Sequence, residues 1–432
     1  MKLKRGLSLS VAFAAAAALM LSACTTQQAE DDGQVLRVWY QQDPNGPMGQ
    51  AYQAAAEIFE RENPGVRVEF EEKSFEQMRQ SGSLFVNSAS APDVLEYNKG
   101  TSSTGLLVQQ GLITNLTEVA EEYGWDDMMS PSLATTQRYQ PNGIMGSGDW
   151  YAITNHLEFL LTYYNLDMFE EVGAEIPTDL AGLESAMQAF VDAGITPLAL
   201  SGAEYPAQHL WYELALSQAD RDFVTAYQTY TDEVDFSGPE FTFATETIRE
   251  WVERGFISSD SVGLRANDMA AEFSSGRSPI MISGTWWYGG FIQSLPFEWD
   301  AQRLPGNDMH VGSGGNVWIV PEGSQQKDLS YAFIDATLRP EIQQLLGDLG
   351  GIPIAAENTD AISDPKSREL IEIANSVTEA DGLAFYPDWP VSGFYDILVA
   401  QNQALLEGSL TTEQFLATLQ SAYDAHVATL DL

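Results

Sequence analysis

Chemistry that depends on histidine or cysteine has little to work with in this chain. Four histidines (His156, His209, His310 and His426) and a single cysteine, Cys24, are spread over 432 residues. No two histidines are spaced H-x-x-x-H, which argues against a histidine-rich zinc site, and one thiol builds neither a disulfide framework nor a thiolate metal cluster. The motifs G-x-S-x-G, H-E-x-x-H and G-x-x-x-x-G-K-[ST] are absent. Gly312-Ser313-Gly314-Gly315 has the composition of a phosphate loop but lacks its third glycine and following helix. Asp126 and Asp127 are adjacent acids on a predicted surface, not a placed acid–base couple. No catalytic residue, metal or cofactor is expected. What the chain has in quantity is aromatic rings (10 Trp, 17 Tyr, 20 Phe) and 62 acidic residues.

Twenty basic residues against 62 acidic leave a net charge of −42, which argues strongly against DNA or RNA as a partner. The length suits two domains, and 44% hydrophobic residues exclude global disorder. Residues 1–23 read as a targeting segment: Lys2, Lys4 and Arg5 precede an apolar stretch, Leu7 to Leu21, too short to span a bilayer comfortably. It ends in Leu21-Ser22-Ala23-Cys24, which resembles the lipobox of bacterial lipoproteins and implies lipidation of Cys24. Residues 24–33 read as a flexible tether. Without residues 1–23 the chain keeps 17 basic and 62 acidic residues, a charge of −45, read as a solvated, self-repelling surface. Only four lysines remain, at 73, 99, 327 and 366.

The elements that must position any site begin at Val35. Val35–Tyr40 and Val66–Phe70 alternate as strands, Gln50–Glu62 is an amphipathic helix stopped by Asn63-Pro64-Gly65, and a helix over 74–87 leads to a strand at 93–97. This succession implies βαβ units with a parallel sheet, and so ligand loops at 40–46 and 97–104, beyond the strand carboxyl ends. Trp150 to Asn165 is one long β-type segment, as expected of a strand running between domains. Helices follow over 166–173, 179–193, 207–218, 220–230 and 242–254. Strands at 279–284 and 316–320 and a helix at 327–338 come next. Segments 366–380 and 392–430 are helical, with a Pro/Trp loop at 384–391.

In this order the pieces resemble the family-1 extracellular solute-binding proteins of carbohydrate ABC importers. The resemblance rests on Leu36-Arg37-Val38-Trp39, Phe59 to Val68, Ala91-Pro92-Asp93-Val94, Tyr163 to Phe169 with Gly173 to Thr178, and Ala193 to Leu200. It continues through Phe273 to Arg277, Ile282 to Trp286, Gly314 to Pro321, and Ala332-Phe333-Ile334. It implies an α/β, two-lobed periplasmic-binding-protein-like fold with parallel-rich sheets flanked by helices. The N-lobe would be 34–155 with 311–348 and the C-lobe 156–310 with 349–432. The hinge would lie near Asn155-His156, His310 and Gly350-Gly351. The usual Gly-Leu-Pro before the first crossing is Ala152-Ile153-Thr154 here. The implied function is capture of a sugar or oligosaccharide and delivery to ABC permease subunits, by a lipid-anchored monomer on the outer face of the cytoplasmic membrane. A peptide, polyamine or phosphodiester ligand is the alternative, and a surface glycoside hydrolase a further one.

Sugars offer apolar C–H faces to aromatic rings and hydroxyls to planar polar groups. Candidate contacts at strand ends are Tyr40, Gln42 and Asp43, and Glu96, Tyr97 and Asn98. Asp43 equally suits a plain turn before Pro44-Asn45-Gly46. On the crossing strand, Asn155, His156 and Glu158 are candidates, although His156 also suits a satisfied core position. Glu204, Gln208 and Trp211 begin a C-lobe helix. Gly314, Gly315 and Asn316 precede a strand where glycine allows close backbone approach. By resemblance, Trp286, with Trp287 beside it, supplies a stacking ring, and Trp389 and Tyr395 a second platform.

Overall fold

The computed structural model describes residues 34–354 and 361–430; the targeting segment, Cys24 and the tether lie outside them. The strands are β1 (Gln34–Tyr40), β2 (Val66–Glu72), β3 (Val94–Tyr97), β4 (Arg138–Tyr139), β5 (Asp149–Trp150), β6 (Leu157–Asn165), β7 (Leu198–Ala199), β8 (Ile280–Gly284), β9 (Trp299–Gln302), β10 (Gly312–Gly314) and β11 (Val317–Ile319).

The first lobe is built on a four-stranded sheet, β11-β3-β1-β2. β1 runs parallel to β2 and β3, and β11 closes the edge antiparallel to β3. Alternation in β1 turns Leu36 and Val38 inward against the helix Pro47–Glu62, whose buried stripe includes Ala51, Tyr52, Ala55 and Phe59. That helix begins on Pro47 and gives way at Asn63 to Gly65, whose φ of +91° suits glycine. The helix Phe75–Val86 is started by a capping box between Ser74 and Gln77.

The second lobe is centred on β6, buried along almost its whole length. β8 pairs antiparallel with it on one side, β9 and β10 pair antiparallel with it elsewhere along the strand, and β7 runs parallel to β8. Large aromatics, among them Trp211, Tyr227, Phe236 and Phe241, fill the interior beneath the helices Pro206–Leu216 and Pro239–Glu253.

Three segments cross between the lobes and lie side by side. Gly315 N–H donates to the His156 carbonyl (2.7 Å), Leu157 N–H to that of Ile352 (2.8 Å), and Ile153 and Trp318 exchange backbone bonds. The Gln343 amide ties Asn155 O to Ile354 N–H. The second crossing falls at Gly315–Asn316, not near His310. β10 belongs to the C-lobe sheet, so residues 311–314 lie there and not in the N-lobe. His310 is buried inside the C-lobe, its Nδ1 2.7 Å from Glu213 Oε1. The reason is geometric: β10 pairs with β6 and β11 with β3, so the chain changes lobes between them. No helix among the described residues is long and apolar enough to cross a membrane.

Candidate ligand-binding cleft

The facing surfaces of the two lobes carry a concentration of rings and charges. From the N-lobe come Phe75, Glu76 and Arg79 on the first turns of the helix Phe75–Val86, and Lys99, Gly100 and Ser102 just past β3. From the C-lobe come Glu158 on β6, Tyr205 and His209 at the start of the helix Pro206–Leu216, and Trp286 after β8. The loop 383–391 adds Tyr386, Asp388 and Trp389, and the next helix, Phe394–Leu406, adds Tyr395 and Asp396.

Lys99 is fully buried, its ammonium 3.1 Å from Glu158 and 5.4 Å from the centre of the Trp389 ring. Burial pulls its pKa down, opposed by Glu158, Glu96 and Asp388. Gly100 is a position where only glycine fits: φ is +91°, and a Cβ would lie 2.5 Å from that of Trp389. Ser102 then donates from its N–H to Trp389 O (2.9 Å) and from Oγ to Asp388 O (3.2 Å).

The loop 383–391 is irregular but firmly held. Arg221 donates to the carbonyls of Asp381 and Leu383, Tyr212 to Ala384, Gln228 to Tyr386, Tyr227 to Pro387 and Tyr230 to Pro390. This support shows Asp388 and the rings to the N-lobe. Asp388 is 7% exposed. Burial raises its carboxyl pKa to about 6, with Arg79 and Lys99 pulling the other way.

Rings run in continuous contact along the C-lobe wall. Trp286 meets Tyr205 edge-on at 5.6 Å, Tyr205 meets His209 at 5.0 Å, His209 meets Tyr386 at 4.9 Å, and Tyr386 meets Trp389 at 5.0 Å. Burial lowers the His209 pKa to about 3, so its imidazole is neutral. Trp286 Nε1 and the Tyr386 hydroxyl are buried without a hydrogen bond of good geometry, their nearest side-chain partners being Tyr205 and Glu158. Such atoms carry an unrecovered desolvation cost unless something donates to or accepts from them.

The cleft therefore gathers Glu158, Trp286, Trp389 and Tyr395 of the residues singled out from sequence. Other candidates are occupied elsewhere. Trp211 lies in the lobe interior, stacked on Phe241 (5.0 Å, 8°) with Nε1 donating to Thr245. Its i,i+3 partner Gln208 is wholly buried with neither amide atom bonded. Tyr40 packs in the N-lobe core against Tyr52 and Phe70, and the Tyr97 ring presses on Gly82. Asp43 is exposed and closes its own turn by accepting from Asn45 N–H. Glu96 is saturated by Gln41 N–H, the Gln42 amide and the Tyr52 hydroxyl, so it and Gln42 brace the loop after β1. Asn98 accepts from Lys99 N–H, and Glu204 from Ala266 N–H at a helix start. Trp287 stacks on Phe291 and donates to Ser283.

Asn155, His156, Gly314, Gly315 and Asn316 lie at the crossings between the lobes. Asn155 Oδ1 lies 2.9 Å from His156 Nδ1 and also accepts from Tyr52. Burial, aided by Lys99, lowers the His156 pKa to about 3. The close approach allowed by Gly315 is made by the His156 ring, whose Nε2 would stand 1.7 Å from a Cβ there, and Gly314 faces Thr154 in the same way. Asn316 is half-buried in the turn between β10 and β11.

Residues missed from sequence are Phe75, Glu76, Arg79, Lys99, Tyr205, His209, Tyr386, Asp388 and Asp396. Lys99 had a usable signal: one of four lysines in a strongly acidic chain, it sits directly after a predicted strand in a predicted ligand loop. Among the described residues it is the buried lysine, and no His/Cys/Asp/Glu group there is arranged to hold a metal.

Residues 54–372 match the family described as bacterial extracellular solute-binding protein. A maltotriose-binding protein of Pyrococcus abyssi is 24% identical over 357 residues, 79% of this chain and 70% of that protein. A probable sugar-binding periplasmic protein of Rhizobium meliloti is 22% identical over 330 residues, 73% and 76% of the two chains. Among solved structures, a chitin oligosaccharide binding protein superposes with a TM-score of 0.76 at 18% identity, over 92% of this chain and all of that one. The GacH receptor of Streptomyces glaucescens, solved unliganded and with acarbose, gives 0.74 at 20% identity, again over 92% and 100%.

Proposed function

Because this chain belongs to the bacterial extracellular solute-binding proteins, we propose that it captures a neutral sugar or oligosaccharide between its lobes and hands it to the permease of an ABC importer. The observation that carries the reading is the ring series from Trp286 to Trp389, in which buried polar atoms at Trp286 and Tyr386 and the Asp388 carboxylate interrupt flat apolar area. A pyranose has the matching surface: C–H faces for the rings, hydroxyls for those polar atoms. Lobes joined by three side-by-side crossings support closure as the means of capture. The relatives' sugar names agree with this choice over a peptide, polyamine or phosphodiester.

The protein binds its ligand without transforming it, works as a monomer, and is anchored through a lipidated Cys24 on the outer face of the cytoplasmic membrane. Thermal unfolding against maltotriose, raffinose, xylo- and chitin oligosaccharides, dipeptides and polyamines tests the ligand class. A ligand at 100 times its Kd stabilises by about 2.7 kcal/mol. Stabilisation by a sugar, recovered unchanged by chromatography, is expected; stabilisation by non-sugars alone overturns the reading, and cleaved sugar makes the protein a hydrolase. Cys24→Ala is expected to release the protein or leave its precursor uncleaved, and unchanged membrane retention with acyl labelling rejects the anchor.

A further inference from the structure

Beside the Tyr205 end of the ring series, the lobes also touch through one small cluster. Arg79 of the N-lobe lies 2.9 Å from Glu76 of its own helix and 3.0 Å from Asp396 of the C-lobe. Its guanidinium stacks over the Tyr395 ring at 4.1 Å, and the Tyr395 hydroxyl returns a 2.8 Å hydrogen bond to Glu76. Phe75 seals the inner side against Tyr205 and Tyr395. Every one of these contacts except Arg79–Glu76 joins the two lobes and must break when they part.

The charge of the rest of the molecule gives this cluster its meaning. Residues 34–155 with 315–348 carry nine basic and 21 acidic residues, a net −12. Residues 156–314 with 349–432 carry eight and 38, a net −30. Two bodies of like charge repel as they close, and at low ionic strength the repulsion reaches about 30 Å. At the interface the signs are opposed instead. The N-lobe presents Arg79 and Lys99, and the C-lobe presents Glu158, Asp388 and Asp396. Lys99 is buried among the rings and would be difficult to alter without disturbing them. Arg79 keeps 19% of its side chain exposed and its partner Asp396 keeps 68%, so this pair can be changed alone.

We infer that Arg79 is the positioning residue for closure: it holds Tyr395 and Asp396 to the N-lobe against the mutual repulsion of the lobes, and so sets how long a ligand stays, without touching it. Arginine is suited to this because one planar group serves two carboxylates and a ring face together. The inference rests on the sugar-receptor reading for its kinetic consequence, but not for its structural one.

The test uses the mature chain, Arg79→Gln and Asp396→Asn, with small-angle scattering at about 20 mM and about 500 mM NaCl, conditions that bracket strong and weak screening. The radius of gyration is expected to rise in both variants at low salt and to return to the wild-type value at high salt, where repulsion is screened and the latch is no longer needed. A merely structural lesion would not be rescued by salt. With the sugar that stabilises most in the panel above, dissociation from Arg79→Gln is expected about threefold to tenfold faster at low salt and within about twofold of wild type at high salt. Variants that scatter as wild type at both salts, or that open equally at both, overturn the inference. Failure of every sugar to bind wild type, with the scattering behaviour intact, overturns the functional reading and leaves the latch standing.

Discussion

The interior of the C-lobe and its cleft wall are made of the same kinds of residue at nearly the same burial, yet they are finished differently. In the interior, Trp211 donates to Thr245, Trp251 to Glu184, Tyr227 to Pro387 O and Tyr423 to Tyr227 O, and rings stack closely, as Phe236 on Phe241 at 4.5 Å and 9°. Along the wall, Trp286 Nε1 and the Tyr386 hydroxyl make no well-formed hydrogen bond, whereas both regions mix stacked with tilted or edge-on ring contacts. Burial alone does not separate the wall rings from the packing rings, and Trp318 and Tyr164, deep in the two lobes, share the unpaired polar atom. An unpaired atom thus points to a ligand only where it also faces the other lobe.

Three substitutions sharpen or break this contrast. The largest effect is expected from Trp211→Ala, which opens a cavity in a stacked interior and should cost about 3–5 kcal/mol of stability, read by denaturant unfolding. A fully stable variant would remove Trp211 from the core. Trp286→Ala should instead weaken sugar binding at least tenfold, about 1.4 kcal/mol, within the range of about 1–3 kcal/mol for a stacked ring. Its unfolding should change little; normal affinity, measured by calorimetry, would make Trp286 a packing residue. The smallest effect belongs to Asp388. Its carboxyl is raised to about 6 in the closed cleft, above the ordinary value near 4. A raised acid favours the protonated form, so the stabilisation is complete below about pH 4 and lost as pH rises through about 6. Unfolding should accordingly show this group favouring the folded protein by about 1 kcal/mol more at pH 5 than at pH 7. Asp388→Asn should flatten that slope, and an unchanged slope would assign it to another group.

Much of the scaffold was legible because its signals are local. Alternation marked β1 and β2, Asn63-Pro64-Gly65 ended the first long helix, and the unbroken β-type stretch from Trp150 marked a crossing. β10 was not legible, because Gly-Ser-Gly has no side-chain pattern to report which sheet it joins; its placement is decided by pairing with Phe159 and Leu157. The site was legible in part. Glu158, Trp286, Trp389 and Tyr395 reach the cleft, whereas Trp211 had the same residue type and a helix start to recommend it. Which face of that helix is inward depends on Phe241 and Phe415, and neither neighbour can be inferred from spacing. Asp43 and Glu96 were reasonable ligand acids whose oxygens are taken by local donors. Arg79 and Asp396, 317 positions apart, had no sequence signal of their meeting.

The tethering of the loop 383–391 also dictates an order of events during synthesis. Its carbonyls are bound by side chains of Tyr212, Tyr227, Gln228 and Tyr230, made roughly 160 residues earlier, while the N-lobe sheet waits for β11 to pair with β3. A ribosome that has produced two thirds of this chain has therefore completed neither lobe. Such long-range closure is slow to form. The wall of rings from Trp286 to Trp389 is therefore among the last parts of the chain to become whole.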